Sequence, residues 1–289
     1  MKLLTFHHEG QTRPGVLDGD EVVDLAAAGL PVGRDGDLAL LVEAGEPALD
    51  RVRDALKAAD AKRYGLADVK IAAPILAPSK IVAVGLNYID HCREANLPVP
   101  EEPVLFGKFS NSVTGPYDDL SWSPSLTKEV DFEGEMGVVI GKRGRDIGEA
   151  LAMEHVFGYT VVNDVSARDL QFANAKQWNR GKSLDTFCPY GPYIVTRDEI
   201  PDPHVLQLRT VLNGQEMQNS NTKNLIFDVP KIITYMSAGT TLNPGDLIPT
   251  GTPFGVGFSR KPPVFLKDGD ECVCEVEKIG AIRNKVRLA

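Results

Sequence analysis

The 289-residue chain lacks the spacings and runs that mark several large protein classes. Its four cysteines, Cys92, Cys188, Cys272 and Cys274, form no C-x-x-C pair, which excludes the common structural zinc arrangements. No stretch approaches the roughly 18 consecutive apolar residues that span a bilayer. The strand-like start, residues 1–6, has neither the apolar segment nor the small-residue cleavage site of a secretory signal, so a cytoplasmic location is expected. An excess of positive charge is also missing. Lys and Arg number 31 against 40 Asp and Glu, a formal net charge of −9, which excludes nucleic acid and anionic membrane as natural partners. A small anionic substrate is repelled as well, so a site for one must carry its own cations, from Lys, Arg or a metal. No glycine fingerprint follows a strand-like run, which removes the dinucleotide-binding fold. No G-x-S-x-G elbow or activated cysteine setting is present, so covalent acyl chemistry lacks its usual carrier.

What is there is an ordinary globular composition, 43% hydrophobic and 25% charged, in a chain long enough to bury a sizeable core. Residues 1–72 read as a small α+β N-terminal domain. It has a strand over 2–6, a hairpin around Asp18-Gly19, and a helix over 46–62 in which Leu49, Val52 and Leu56 recur at helical spacing. The extended stretch 73–79, with Pro74 and Pro78, marks a boundary. Residues 73–289 are β-rich, with strands predicted at 80–84, 136–140, 156–162, 193–195, 206–212 and 272–276 and turn signals at Asn213-Gly214, Asn243-Pro244-Gly245 and Asp268-Gly269. The expected fold class is mostly β with some α. Cys272 and Cys274 fall on one face of a strand, where buried apolar thiols are expected.

The segment Asp131-Phe132-Glu133-Gly134-Glu135-Met136-Gly137 opens an apolar run. In an extended chain Glu133 and Glu135 point the same way, and two carboxylates on one face repel unless a cation sits between them. A hard divalent ion, Mg²⁺ or Mn²⁺, suits oxygen ligands of this kind. Further on, an apolar strand delivers Asp164 at its end, and Ser166-x-x-Asp169 resembles a capping box for a following helix. A third carboxylate there completes a set that leaves coordination positions for substrate and water. On the helix Arg168 and Gln171 share a face suited to gripping a carboxylate. Lys182 lies in a polar, loop-like stretch where its charge can stabilise an enolate. Thr250-Gly251-Thr252-Pro253 forms a tight polar turn, from which a hydroxyl can reach a substrate carboxylate. Residues 85–94 follow a strand and become helical near Tyr88, so His91 and Glu94 meet at i, i+3 as a general base and its orienting carboxylate.

Taken in order, the segments 85–94, 131–137, 162–171, 181–186 and 250–257 resemble the fumarylacetoacetate hydrolase family over roughly residues 80–289. The resemblance implies that Glu133, Glu135 and Asp164 bind Mg²⁺ or Mn²⁺. It matches Lys182, Arg168, Gln171 and Thr252 to the family's lysine, arginine, glutamine and threonine. His91 and Glu94 match the lid-helix pair of the acylpyruvase-like branch. It further implies a mixed β-sandwich roll, a homodimer, and a closing lid over 95–103. The reaction expected from it is hydrolysis of the C–C bond of a small 2,4-dioxo acid, of acylpyruvate or fumarylpyruvate type, to pyruvate and a carboxylic acid. His91 would activate the water, Arg168 and Thr252 would hold polar edges, and metal and Lys182 would stabilise the enolate. The same set can also run tautomerisation or decarboxylation of oxaloacetate, or isomerisation of a 2-hydroxymuconate-type diacid such as hydroxyhepta-diene-dioate. A non-catalytic metabolite-binding protein is the remaining alternative.

Overall fold

The structure, a computed structural model, describes residues 1–94, 96, 98–173 and 177–288. Its centre is the strand Gly134–Ile140, every residue of which is buried. It pairs antiparallel with Val156–Asn163 on one side and with Leu247–Pro249 on the other. Beyond Leu247–Pro249 the sheet continues through a parallel pairing with Ile81–Gly85 and then Val104–Lys108. Beyond Val156–Asn163 it passes to Cys188–Thr196, then Lys2–His8, Gln11–Asp18, Glu21–Asp24 and Arg63–Gly65. Residues 1–72, expected as a small N-terminal domain, therefore add strands to the same mixed sheet as residues 73–289. A second, four-stranded antiparallel sheet is ordered Gln215–Asn221, Gln207–Leu212, Glu271–Val276, Gly280–Lys285. The chain is mostly β, a sandwich roll with short helices.

The alternation of the central strand feeds two of the three apolar clusters among the described residues. Met136, Val138 and Ile140 point toward the four-stranded sheet and pack with Leu208, Leu212, Cys272, Cys274 and Ile282. Each such side chain contributes about 1.5–3 kcal/mol by leaving water. Val139 points the other way, into a core shared with Phe157, Ile194, Leu3, Val16, Leu41 and Val52. Cys272 and Cys274 are buried free thiols on that first face, as their spacing predicts. No helix among the described residues is long and apolar enough to cross a membrane.

Some elements differ from the sequence reading. The helix predicted over 46–62 ends at Lys57, because Ala58 turns to extended backbone and the chain must straighten for Arg63–Gly65 to pair with Glu21–Asp24. The strand predicted at 193–195 runs over Cys188–Thr196 despite its two prolines. Asn213 and Gly214 both take positive φ, 51° and 81°, the geometry of the hairpin turn their sequence signals. Ser166-x-x-Asp169 does not form a capping box. Ser166 belongs to a short strand and donates its hydroxyl to the Asp164 carbonyl, while Asp169 accepts from Thr127. Of the expected lid, 95–103, Ala95 and Leu97 lie outside the described residues.

Candidate active site and metal centre

Antiparallel register builds the acidic centre. Gly134 faces Asn163 and Glu135 faces Val162, so Glu133 stands beside Asp164 where the two strands end. The Asp164 N–H donates to the Glu133 carbonyl at 2.9 Å, and Asn163 Oδ1 accepts from the Glu133 N–H at 2.9 Å. Glu133 and Glu135 share the face opposite Gly134. That glycine is required by close approach, since a Cβ there would lie 2.3 Å from Thr210 Oγ1 on the second sheet. Ligand atoms of Glu133, Glu135 and Asp164 lie within 4.8 Å of one another, and all three residues are buried.

Three buried cations surround them. Lys182, at the end of the short helix Trp178–Lys182 rather than in a loop, donates to Glu133 at 2.6 Å and Asp164 at 2.8 Å. Arg168 donates to Asp131 through Nε and Nη2 at 2.9 and 2.7 Å, to Glu133 at 2.6 Å and to Gln171 at 2.9 Å. Lys108 donates to Asp164 at 2.6 Å and also meets the Lys182 carbonyl. The carboxylates Asp131, Glu133, Glu135 and Asp164 thus face Lys108, Arg168 and Lys182, one positive charge short of balance. Burial would raise the Glu133 carboxyl, but Lys182 and Arg168 outweigh it and hold the group well below the usual carboxylate range. Glu135 goes the other way. Burial, then Asp164 and Glu133, push it well above its ordinary value, with the Gly251 N–H at 2.7 Å as its hydrogen-bond donor. An oxygen-only donor set with one under-compensated carboxylate fits a hard divalent cation, which would supply the missing charge. Glu133, Glu135 and Asp164 are the residues that would hold it.

The centre forms one wall of a cavity of about 510 Å³ that His91, Glu94, Arg168, Gln171, Lys182 and Thr252 also line. The structure therefore brings all nine residues singled out from the sequence to one place. His91 Nδ1 lies 3.5 Å from Glu94, close enough for charge support but longer than a good hydrogen bond. Glu94 is itself fixed by the Gly255 N–H, 3.1 Å from each of its oxygens. The Thr252 hydroxyl is engaged within the protein, donating to the Gly134 carbonyl at 3.0 Å and accepting from Gln218 at 2.7 Å. Gly251, at φ 107°, turns the chain tightly against Asn87 to aim its N–H at Glu135. Phe106 and Trp178 stack edge-on at 5.4 Å on an aromatic wall, and Lys182 lies 4.9 Å from the Phe106 ring.

Sequence reasoning missed Lys108, Asp131 and Gln218. Lys108 left one signal, a lysine alternating with Phe106 on the inward side of a short strand. Asp131 anchors Arg168 and accepts from the Gly257 and Phe258 N–H groups at 2.7 and 3.1 Å, tying the 250–258 loop to the site. Asp131→Asn keeps the shape but turns an amide toward these donors. It is expected to lower kcat/KM about ten- to hundredfold, the cost of a lost charged hydrogen bond, as steady-state kinetics would register.

Fold and site together define a member of a known enzyme family: residues 80–287 match the sequence model for the fumarylacetoacetate (FAA) hydrolase C-terminal domain, and the chain belongs to that family. It is 52% identical over 246 residues to the Bos taurus protein named oxaloacetate tautomerase FAHD2A, mitochondrial, covering 85% of this chain and 78% of the relative. Among solved structures it resembles fumarylacetoacetate hydrolase from psychrophilic Exiguobacterium antarcticum, with 40% identity, full coverage of both chains and a TM-score of 0.87. It also resembles maleylpyruvate hydrolase from Sphingobium sp. SYK-6 in complex with manganese(II) and pyruvate, with 32% identity, full coverage of both chains and a TM-score of 0.83.

Proposed function

We propose that this chain is a divalent-metal-dependent tautomerase of a small 2-oxo diacid of the oxaloacetate type. The observation that carries the reading is the 52% identity, over most of the chain, to a relative named for that activity. It favours the tautomerase alternative over the C–C hydrolysis first expected from the motifs. The cytoplasmic expectation draws no support from that relative, which is named mitochondrial.

The geometry suits the chemistry. Tautomerisation needs a group to take the C3 proton and a cationic floor for the enolate that results. A bound Mg²⁺ or Mn²⁺ would supply Lewis-acid polarisation of the 2-oxo group. Arg168, Lys182 and Gln171 line the cavity beside that position and are held in place by buried partners, so little reorganisation accompanies the charge shift. His91 keeps Nδ1 toward Glu94, which leaves Nε2 to take the proton from C3. The C–H electron pair becomes the C2–C3 double bond, the carbonyl pair moves to oxygen, and the imidazolium returns the proton there.

Freshly dissolved enol-oxaloacetate tests this directly. With protein and Mg²⁺, the ultraviolet absorbance of the enol should decay faster than in buffer, with no pyruvate or CO₂ formed. Pyruvate plus a free acid from acylpyruvates would restore the hydrolase reading, and pyruvate plus CO₂ from oxaloacetate would make the chain a decarboxylase. His91→Ala is expected to lower kcat about 10²–10⁴-fold while Mn²⁺ affinity, followed by calorimetry, stays within about twofold. Full turnover in that variant would remove His91 from the proton path.

A further inference from the structure

The loop that leaves Leu247–Pro249 starts at the metal centre and ends at the rim of the cavity. Gly251 donates to Glu135, Gly257 and Phe258 donate to Asp131, and the Phe258 ring lies 4.3 Å from the Arg168 guanidinium. Immediately beyond, Ser259 and Lys261 line the same cavity. The other cations on this wall are spoken for: Arg168 and Lys182 each contact a carboxylate at 2.6 Å. Lys261, an exposed side chain, has no acidic partner among the described residues. Arg260 beside it binds, among the described residues, only backbone carbonyls, those of Gly255 and Met217. The rim thus holds uncompensated positive charge in a protein of net charge −9. The Ser259 hydroxyl oxygen is shielded from solvent and has no hydrogen-bond partner among the described residues.

We infer that Lys261, with Ser259, forms a subsite for the second carboxylate of the substrate and sets a preference for dicarboxylic over monocarboxylic 2-oxo acids. The inference rests on the tautomerase reading. One end of a 2-oxo diacid, its carboxylate and adjacent oxo group, belongs at the acidic centre with Arg168. The other end then lies toward the rim, past Phe106, Trp178 and Phe172, where a bare carboxylate would lose its water and gain nothing. A cation free of internal partners is what that position requires, and a lysine on a flexible stem can follow diacids of somewhat different length. An aromatic cavity without it would instead favour acids with apolar tails.

The test compares two substrates and two unreactive mimics. Exchange of C3 hydrogen for deuterium, followed by NMR with Mg²⁺ present, reads enolisation of oxaloacetate and of 2-oxobutanoate. Lys261→Met, which keeps the stem and drops the charge, should raise KM for oxaloacetate about tenfold or more with kcat within about twofold, and leave 2-oxobutanoate unchanged. Lys261→Arg should recover most of the loss. Calorimetry of the Mn²⁺-loaded protein should show N-oxalylglycine, which carries a distal carboxylate, binding about tenfold more weakly to K261M, with oxalate unaffected. Equal losses for both substrates, or for neither, would overturn the subsite and leave the tautomerase reading standing. The expected binding pattern without enolisation of either acid would do the reverse, keeping the subsite and overturning the reaction.

Discussion

Glu135→Gln is expected to remove divalent-cation binding and turnover together while leaving the metal-free protein at least as stable as the parent. Both halves follow from the charge pattern of the buried cluster. Lys182 and Arg168 compensate Glu133, and Lys108 and Lys182 compensate Asp164, but Glu135 has a backbone N–H as its hydrogen-bond donor and two like charges as neighbours. Its carboxylate is an unfavourable charge until a cation arrives, so an amide of the same shape relieves the metal-free protein. The same amide removes one of the three carboxylates that would hold the ion. The fall in activity should exceed the roughly 10–100-fold that loss of an outer hydrogen-bond partner costs at metal sites. Thermal melting with and without Mn²⁺ checks both claims. The parent should gain stability with the ion and the variant should not. A variant that melts well below the parent in chelator, or that binds Mn²⁺ as tightly, would show that the charge pattern has been misread.

Asp164→Ala should behave oppositely in the absence of metal. It too removes a carboxylate that would hold the ion and should end turnover, but it strips Lys108 of the one carboxylate it contacts among the described residues, at a site where both side chains are fully buried. Breaking a buried pair from one side costs about 3–5 kcal/mol because the remaining charge has nowhere to go. In a chain of this size that corresponds to a fall in Tm of roughly 5–8 °C. Chemical denaturation in chelator measures it, and adding Lys108→Met to the same chain should recover much of the loss without recovering activity. If the single variant denatures like the parent, Lys108 finds other compensation and the pair is not what holds this corner together.

The contrast between these two ligands shows where the sequence is legible and where it is not. The E-x-E alternation is local, and period-two geometry alone places Glu133 and Glu135 on one face. Asp164 joins them through the register of Gly134–Ile140 against Val156–Asn163, which depends on burial across the whole sheet; its place at the end of an apolar strand made it a candidate third carboxylate, and the family resemblance matched it as one. Lys108 escaped notice because a lysine in a five-residue strand ordinarily points to solvent. Only the assembled sheet turns it toward Asp164. Cys188–Thr196 was read too short because Pro189, Gly191 and Pro192 argue locally against a strand, a preference that pairing on both sides overrides. Choosing between hydrolysis and tautomerisation was beyond the motifs, because both reactions use the same enolate-stabilising floor and differ in the shape of the cavity above it.

The sheet that links the two ends of the chain also decides how the molecule keeps company with itself. Lys2–His8 pairs with Cys188–Thr196, and Leu3, Val16, Leu41 and Val52 cover Val139, Phe157 and Ile194. Residues 80–287 hold the family match and every candidate site residue. Taken alone, they would present a raw edge of backbone N–H and C=O groups beside an uncovered apolar face, a ready template for sticking to another copy. The first 72 residues pair with that edge and cover that face, so the sheet that carries the candidate site is closed by a segment that supplies none of the candidate site residues.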